Sequence, residues 1–187
     1  MLVLLHGRGA DERDLFTIAR VLPDELVVAS VRAPHEEGPG YAWFAPRPPS
    51  EPEPDAAAID AGVAAVLDWL DGLHLSGPVG LLGFSQGAAL ALQLLRSRPT
   101  AFAAVVQLSG FLLLRALPGD AVLERRRPPV FWGRGLDDLV ISPERVARTA
   151  AWLPSHATLT ERAYPGGHVI SEAELGDVAA FLGAHLI

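Results

Sequence analysis

The sequence predicts an α/β protein: a trimmed, mostly parallel sheet of about six strands with helices on both faces. Three observations predict it. Short apolar runs alternate along the chain with longer segments of helical periodicity, the pattern of strand–crossover–strand units. Half of the 187 residues are hydrophobic and 20% are charged. That balance suits strands buried on both faces and excludes disorder over most of the chain. The length fits a single domain over 1–187, with a core large enough to need no covalent staples.

Leu2–Leu5 is wholly apolar and reads as a buried strand. Residues 14–21 form a possible short helix, and 26–31 a second strand. The stretch 35–55 reads as irregular. Its segment 47–55 alternates Pro with polar residues, and Pro removes donors and fixes φ. So long a loop in a compact domain points to function or mobility. Residues 56–73 are a helix, because Ile59, Val63, Val66, Leu67 and Leu70 recur at helical spacing and Asp55 can cap the start. A strand at 78–82 and a helix at 87–98 follow. Strands at 102–108 and 129–132 come next. Ser142 followed by Pro143 is an N-cap with Pro at the first helical position, starting a helix that runs to about Leu153. The last strand is 158–163. Ser171 and Glu174 form a capping box that opens the final helix, with Val178, Phe181 and Leu182 on one face.

Composition excludes several classes of function. The net charge is −7, and all fifteen basic residues are Arg. An acidic chain without Lys is a poor phosphate-backbone binder, so no nucleic acid partner is expected. The run Arg125-Arg126-Arg127 reads as a solvated loop. The chain has no Cys, which removes disulfides, thiolate metal sites and Cys nucleophiles. No metal or other cofactor is implied. No secretory signal is visible at the apolar opening, and no apolar run is long enough to span a membrane. A cytoplasmic location is expected.

In parallel α/β sheets, ligands gather at the carboxyl ends of strands, so the polar residues just after each strand matter most. After 78–82 comes Gly83-Phe84-Ser85-Gln86-Gly87. A Gly-x-Ser-x-Gly between strand and helix is a nucleophile elbow. Its turn is so tight that the flanking positions crowd each other, and the serine is held in a strained conformation at the positive end of the next helix. After 129–132 come Asp137 and Asp138, and after 158–163 comes Tyr164-Pro165-Gly166-Gly167-His168. The order Ser, Asp, His is that of an α/β-hydrolase triad. A serine hydroxyl needs an imidazole to take its proton, and the imidazole needs a carboxylate to orient it. Upstream, Leu2–Leu5 runs into His6-Gly7-Arg8-Gly9. The backbone N–H groups of Arg8 and Gln86 are the candidate oxyanion donors. His6 itself reads as a support for the turn.

With these residues in place, the sequence resembles the carboxylesterase/phospholipase family of small α/β-hydrolases, which includes acyl-protein thioesterases and lysophospholipases. The matching pieces are the segments at 4–9, 41–44, 83–88, 108–110, 135–141 and 164–168, in the family's order over nearly the whole chain. The family's Gly-x-x-Asp-x-x-Val-Pro register lands on Gly135, Asp138, Ile141 and Ser142, which implies Asp138 as the triad acid over Asp137. Ser142 departs from the usual Pro. The chain opens almost at the strand before the oxyanion turn, which implies the trimmed sheet. Arg8 stands where relatives often carry an apolar residue, so its guanidinium biases the entrance toward acidic or polar substrates.

The resemblance implies a serine hydrolase that cleaves carboxylic esters or thioesters of short to medium acyl chains through an acyl-enzyme on Ser85, and a homodimer of the kind relatives often form. Trp43 and Phe44 match the family's segment beside the acyl site, and Phe111 and Val169 follow strand-end motifs; these four are the candidate substrate contacts. Trp69 and Trp152 read as packing. No insertion is long enough for a separate lid domain. Two alternatives stand: a catalytically silent fold that only binds a small molecule, and a lactone or dienelactone-type hydrolase, although the latter often uses Cys.

Overall fold

The computed structural model describes residues 1–45 and 53–187. Its centre is a six-stranded sheet in the order β2-β1-β5-β6-β7-β8, and every neighbouring pair runs parallel. The strands are β1 (Leu2–Leu5), β2 (Val28–Val31), β5 (Gly80–Phe84), β6 (Ala104–Leu108), β7 (Pro129–Gly135) and β8 (Thr158–Tyr164). The crossovers carry α1 (Ala56–Gly72), α2 (Gln86–Ser97), α3 (Asp120–Arg126), α4 (Pro143–His156) and, after β8, α5 (Glu172–Leu186). A two-stranded hairpin, β3 (His35–Glu37) with β4 (Gly40–Ala42), stands apart from the sheet.

Strand alternation divides the core in two. Val3, Leu5, Leu81, Val105, Val130 and Trp132 face α1, α2 and α4. Leu2, Leu4, Leu82, Val106, Leu108 and Phe131 face the opposite way, against α5 and a 3-10 turn over Leu15–Val21. Successive side chains on a strand point to opposite faces, so continuous apolar runs such as Leu2–Leu5 bury both faces at once. The inner strands β1, β5 and β6 are therefore covered on both faces, while β2 at one edge is half-buried and β8 at the other is largely exposed.

The expected caps form. Asp55 accepts from Ala57 N and Ala58 N at 2.9 and 3.1 Å. Ser142 accepts from Arg145 N with Pro143 in the first turn of α4. Ser171 and Glu174 make the reciprocal capping box of α5.

Three expectations are corrected. The 35–55 stretch is not irregular throughout, because Gly38, with φ of 58°, turns the chain into the β3–β4 hairpin. Residues 46–52, which include most of the Pro-rich segment, lie outside the described residues. The strand expected at 129–132 continues to Gly135. The short helix expected over 14–21 forms as a 3-10 helix over Leu15–Val21. The triple Arg run is exposed as expected but is not a loop: it closes α3, and Arg126 and Arg127 donate to the carbonyls of Pro99, Phe102, Pro154 and Ala157. Helix α3 itself is too short to show a period. It is anchored by a two-pronged ion pair from Arg96 to Asp120, at 2.8 and 2.9 Å.

Candidate active site

Ser85 sits between β5 and α2 with φ of 55° and ψ of −116°. Positive φ is rarely adopted by a residue with a Cβ and stores strain. The turn survives because glycine flanks it. A Cβ on Gly83 would enter the backbone of Gly87, and a Cβ on Gly87 would strike the carbonyls of Leu5 and His6 on the neighbouring strand end. Ser85 N donates to Leu108 O at 2.9 Å, which ties the elbow to β6.

Asp138 and His168 arrive from the next strand ends. Their loops are clamped to one another, since Leu136 N donates to Tyr164 O and Asp137 N to Gly166 O, at 2.8 and 2.9 Å. His168 Nδ1 lies 2.7 Å from Asp138 Oδ2. The carboxylate accepts, so Nδ1 carries the proton and Nε2 is left free to act as a base. Asp138 Oδ1 accepts from the amides of Val140 and Ile141 at 2.8 and 3.2 Å. Burial disfavours the charged carboxylate, but the bonds from His168 and these two amides outweigh burial and hold its pKa below the usual range. Asp137, the runner-up in the sequence, is exposed and engages the base loop only through its amide. The His168 ring also packs on Phe84, with centroids 4.8 Å apart.

Ser85 and His168 line the same cleft, of about 400 Å³, together with Arg8, Phe44, Phe111 and Arg145. Around Arg8 the adjacent amides are occupied: Gly9 N donates to Tyr41 O and Ala10 N to Gly7 O. Arg8 N has no such partner among the described residues. Gln86 opens α2, where first-turn amides lack intrahelical acceptors. The hairpin braces this corner, because Tyr41 N also donates to Ala10 O at 2.8 Å.

His6 supports the turn, as its sequence context suggests. It is fully buried, Nδ1 donates to Gly7 O at 2.7 Å, and Nε2 accepts from Ala33 N at 3.1 Å. Two of the four candidate substrate contacts fall in the cleft and two do not. Phe44 and Phe111 line it. Trp43 is 1% exposed, and its indole N–H donates to His6 O, so it belongs to the core. Val169 is 60% exposed and lies outside the cleft.

Two side-chain roles were not singled out from the sequence. The Gln86 side chain accepts from Trp43 N and donates to Phe44 O, both at 2.8 Å, fastening the wall of the cleft to the elbow. Arg145 covers the Phe111 ring at 4.1 Å. Neither has a local sequence signal, because each contact joins segments more than thirty residues apart.

Fold and site together define an α/β-hydrolase. The chain belongs to the phospholipase/carboxylesterase family, whose model matches residues 1–186. It is similar to a carboxylesterase structure from Mesorhizobium loti, with a TM-score of 0.83 and 24% identity, covering 97% of this chain and 87% of that one. It is also similar to the protein Atu2452 of unknown function from Agrobacterium tumefaciens, with a TM-score of 0.80 and 27% identity over 99% and 90% of the two chains. A putative esterase, NocK of Nocardia uniformis, is 32% identical over 114 residues, or 59% of this chain. That match spans only 32% of NocK's length. No helix among the described residues is long and apolar enough to cross a membrane.

Proposed function

We propose that the protein is a serine carboxylesterase or thioesterase acting on short to medium acyl chains. The observation that carries this reading is the 2.7 Å bond between His168 Nδ1 and Asp138 Oδ2, in a cleft that the strained Ser85 also lines. His168 Nε2 takes the proton of Ser85 Oγ as that oxygen attacks the substrate carbonyl. The tetrahedral oxyanion is met by the amides of Arg8 and Gln86; one such donor contributes about 3–4 kcal/mol to the transition state in comparable sites. Collapse expels the alcohol or thiol, which takes the proton from His168. Water, deprotonated by the same imidazole, then releases the acid and frees Ser85. Asp138 keeps the imidazole oriented and stabilises its charged form. Phe44, Phe111 and Ile141 give an acyl chain apolar contacts within a cleft that Arg8 and Arg145 also line.

The test is hydrolysis of p-nitrophenyl acetate and butyrate by wild type and Ser85→Ala, with circular dichroism as the folding control. Ser85→Ala is expected to lose turnover while keeping its spectrum. An alkyl phosphonate should add one adduct mass, localised to Ser85. Full activity in the alanine variant would overturn the reading, and failure of the phosphonate to label would favour a binding-only protein.

A further inference from the structure

The arginines of the Ser85 cleft differ from those elsewhere on the surface. Arg32, Arg98 and Arg115 each hold a carboxylate, that of Glu12, Asp71 and Asp60, at 2.5 to 2.6 Å. Those hydrogen-bonded carboxylates push the pKa of all three guanidinium groups up. Inside the cleft the charged lining is Arg8, Arg145 and His168, and no Asp or Glu lines it among the described residues.

Arg8 faces Glu37 at 3.9 Å, beyond hydrogen-bond reach, and its side chain is 54% exposed. The amide of the same residue is the proposed oxyanion donor, so the guanidinium lies within one side-chain length of the scissile bond. Arg145 comes from the first turn of α4 and stands over the Phe111 ring at 4.1 Å. Glu53 is 3.8 Å from Arg145 and 3.0 Å from Arg148, so two cations share it. Burial pushes the Arg145 pKa down, and the Arg148 charge adds to that against the pull of Glu53. The shift is opposite to that of the three surface arginines. The surroundings of Arg145 disfavour its cation, and an anion placed beside it would be stabilising. Such an attraction is stronger in a partly buried cleft than on open surface.

We propose that the cleft selects esters that carry a carboxylate, with Arg8 and Arg145 as specificity-determining residues. The proposal rests on the serine-hydrolase reading above. A carboxylate can accept two parallel N–H bonds from one guanidinium, which a methyl end or a neutral ester cannot match. Phe44, Phe111 and Ile141 contact the methylenes between that carboxylate and the scissile carbonyl.

The experiment compares kcat/KM at neutral pH within two matched pairs, each value divided by the ester's rate of alkaline hydrolysis. On the acyl side, the p-nitrophenyl half-ester of adipic acid is set against the p-nitrophenyl methyl diester. On the leaving side, 4-carboxyphenyl butyrate is set against 4-(methoxycarbonyl)phenyl butyrate. Wild type should favour the carboxylate by roughly tenfold in at least one pair, which identifies the side that the arginines serve. The preference should fade between about 10 mM and about 500 mM sodium chloride, because salt screens an ionic contact. Arg8→Gln and Arg145→Met should each bring the ratio toward one, whereas loss of mere packing would slow both members of a pair alike. Circular dichroism checks the fold of each variant, and either one suffices should the other fail to fold. Ratios near one in both pairs would overturn the selectivity while leaving Ser85-dependent hydrolysis intact. So would a preference that survives high salt and the folded variants. Hydrolysis of these esters that persists in Ser85→Ala would instead sink the serine-hydrolase reading, and the selectivity with it.

Discussion

Gln86 holds Trp43 by its backbone: the side-chain oxygen accepts from Trp43 N at 2.8 Å, while the amide nitrogen of the same side chain donates to Phe44 O. The residue after Ser85 thus fastens the cleft wall with its side chain. Gln86→Ala would leave a buried N–H and a buried carbonyl unpaired, at a cost of about 2–4 kcal/mol. The expected outcome is a lower urea midpoint, together with a raised KM for butyrate esters because Phe44 is released. Gln86→Glu should do nearly as badly, since a carboxylate cannot donate to Phe44 O.

Ser85 carries strain that a glycine would not. Its φ of 55° is paired with a ψ of −116°, and such a conformation stores about 1–3 kcal/mol in a residue with a side chain. Ser85→Gly should therefore unfold at a higher urea concentration than Ser85→Ala while sharing its loss of turnover. Equal midpoints for the two variants would argue against a strained elbow.

Asp138→Asn should separate geometry from charge. The Asn side chain can still meet His168 but can supply an N–H where the imidazole also needs to donate, favouring the wrong tautomer. A fall in kcat of about 10³–10⁴ is expected. The lowered carboxyl pKa also has a sign for stability. A depressed acid stabilises the fold above its unfolded pKa and loses that contribution as pH falls through the folded one. The stability gap between wild type and Asp138→Asn should hold at pH 6 and shrink below the ordinary aspartate value of 3.8, as read from urea unfolding at stepped pH.

Glu174 behaves oppositely. It is 1% exposed, Oε1 has no partner among the described residues, and burial lifts its pKa from 4.5 to about 7. The protonated form is the one the fold prefers. Stability should therefore fall as pH rises from 4.5 toward 7 and level off above. Glu174→Gln retains an acceptor for Ser171 N without the charge. It should remove this slope and stabilise the protein at pH 8 by about 1–3 kcal/mol. An unchanged pH dependence in the variant would show that Glu174 is not the titrating group.

What the sequence made legible was whatever is local or periodic. The parallel sheet followed from apolar runs such as Leu2–Leu5 spaced by helical patterns, and the caps at Asp55, Ser142 and Ser171 followed from side-chain chemistry within three residues. Ser85 and His168 could be placed because each follows a strand directly and brings its own glycines. What stayed hidden depends on distant partners. The β3–β4 hairpin is a few residues long and owes its shape to docking on Gly9 and Ala10. Trp43 looks like a substrate contact in its motif, yet the buried carbonyl of His6 claims its indole. Gln107 and Trp132 become neighbours only through strand register, so their meeting could not be read from the sequence.

β8 lies at the margin of the sheet and pairs on one side only, with β7. The His168 imidazole therefore hangs from the rim of the molecule, while Ser85 springs from an interior strand. Warming should detach the rim first, so an assay of turnover will report failure several degrees before the far-ultraviolet signal of the helices begins to fade.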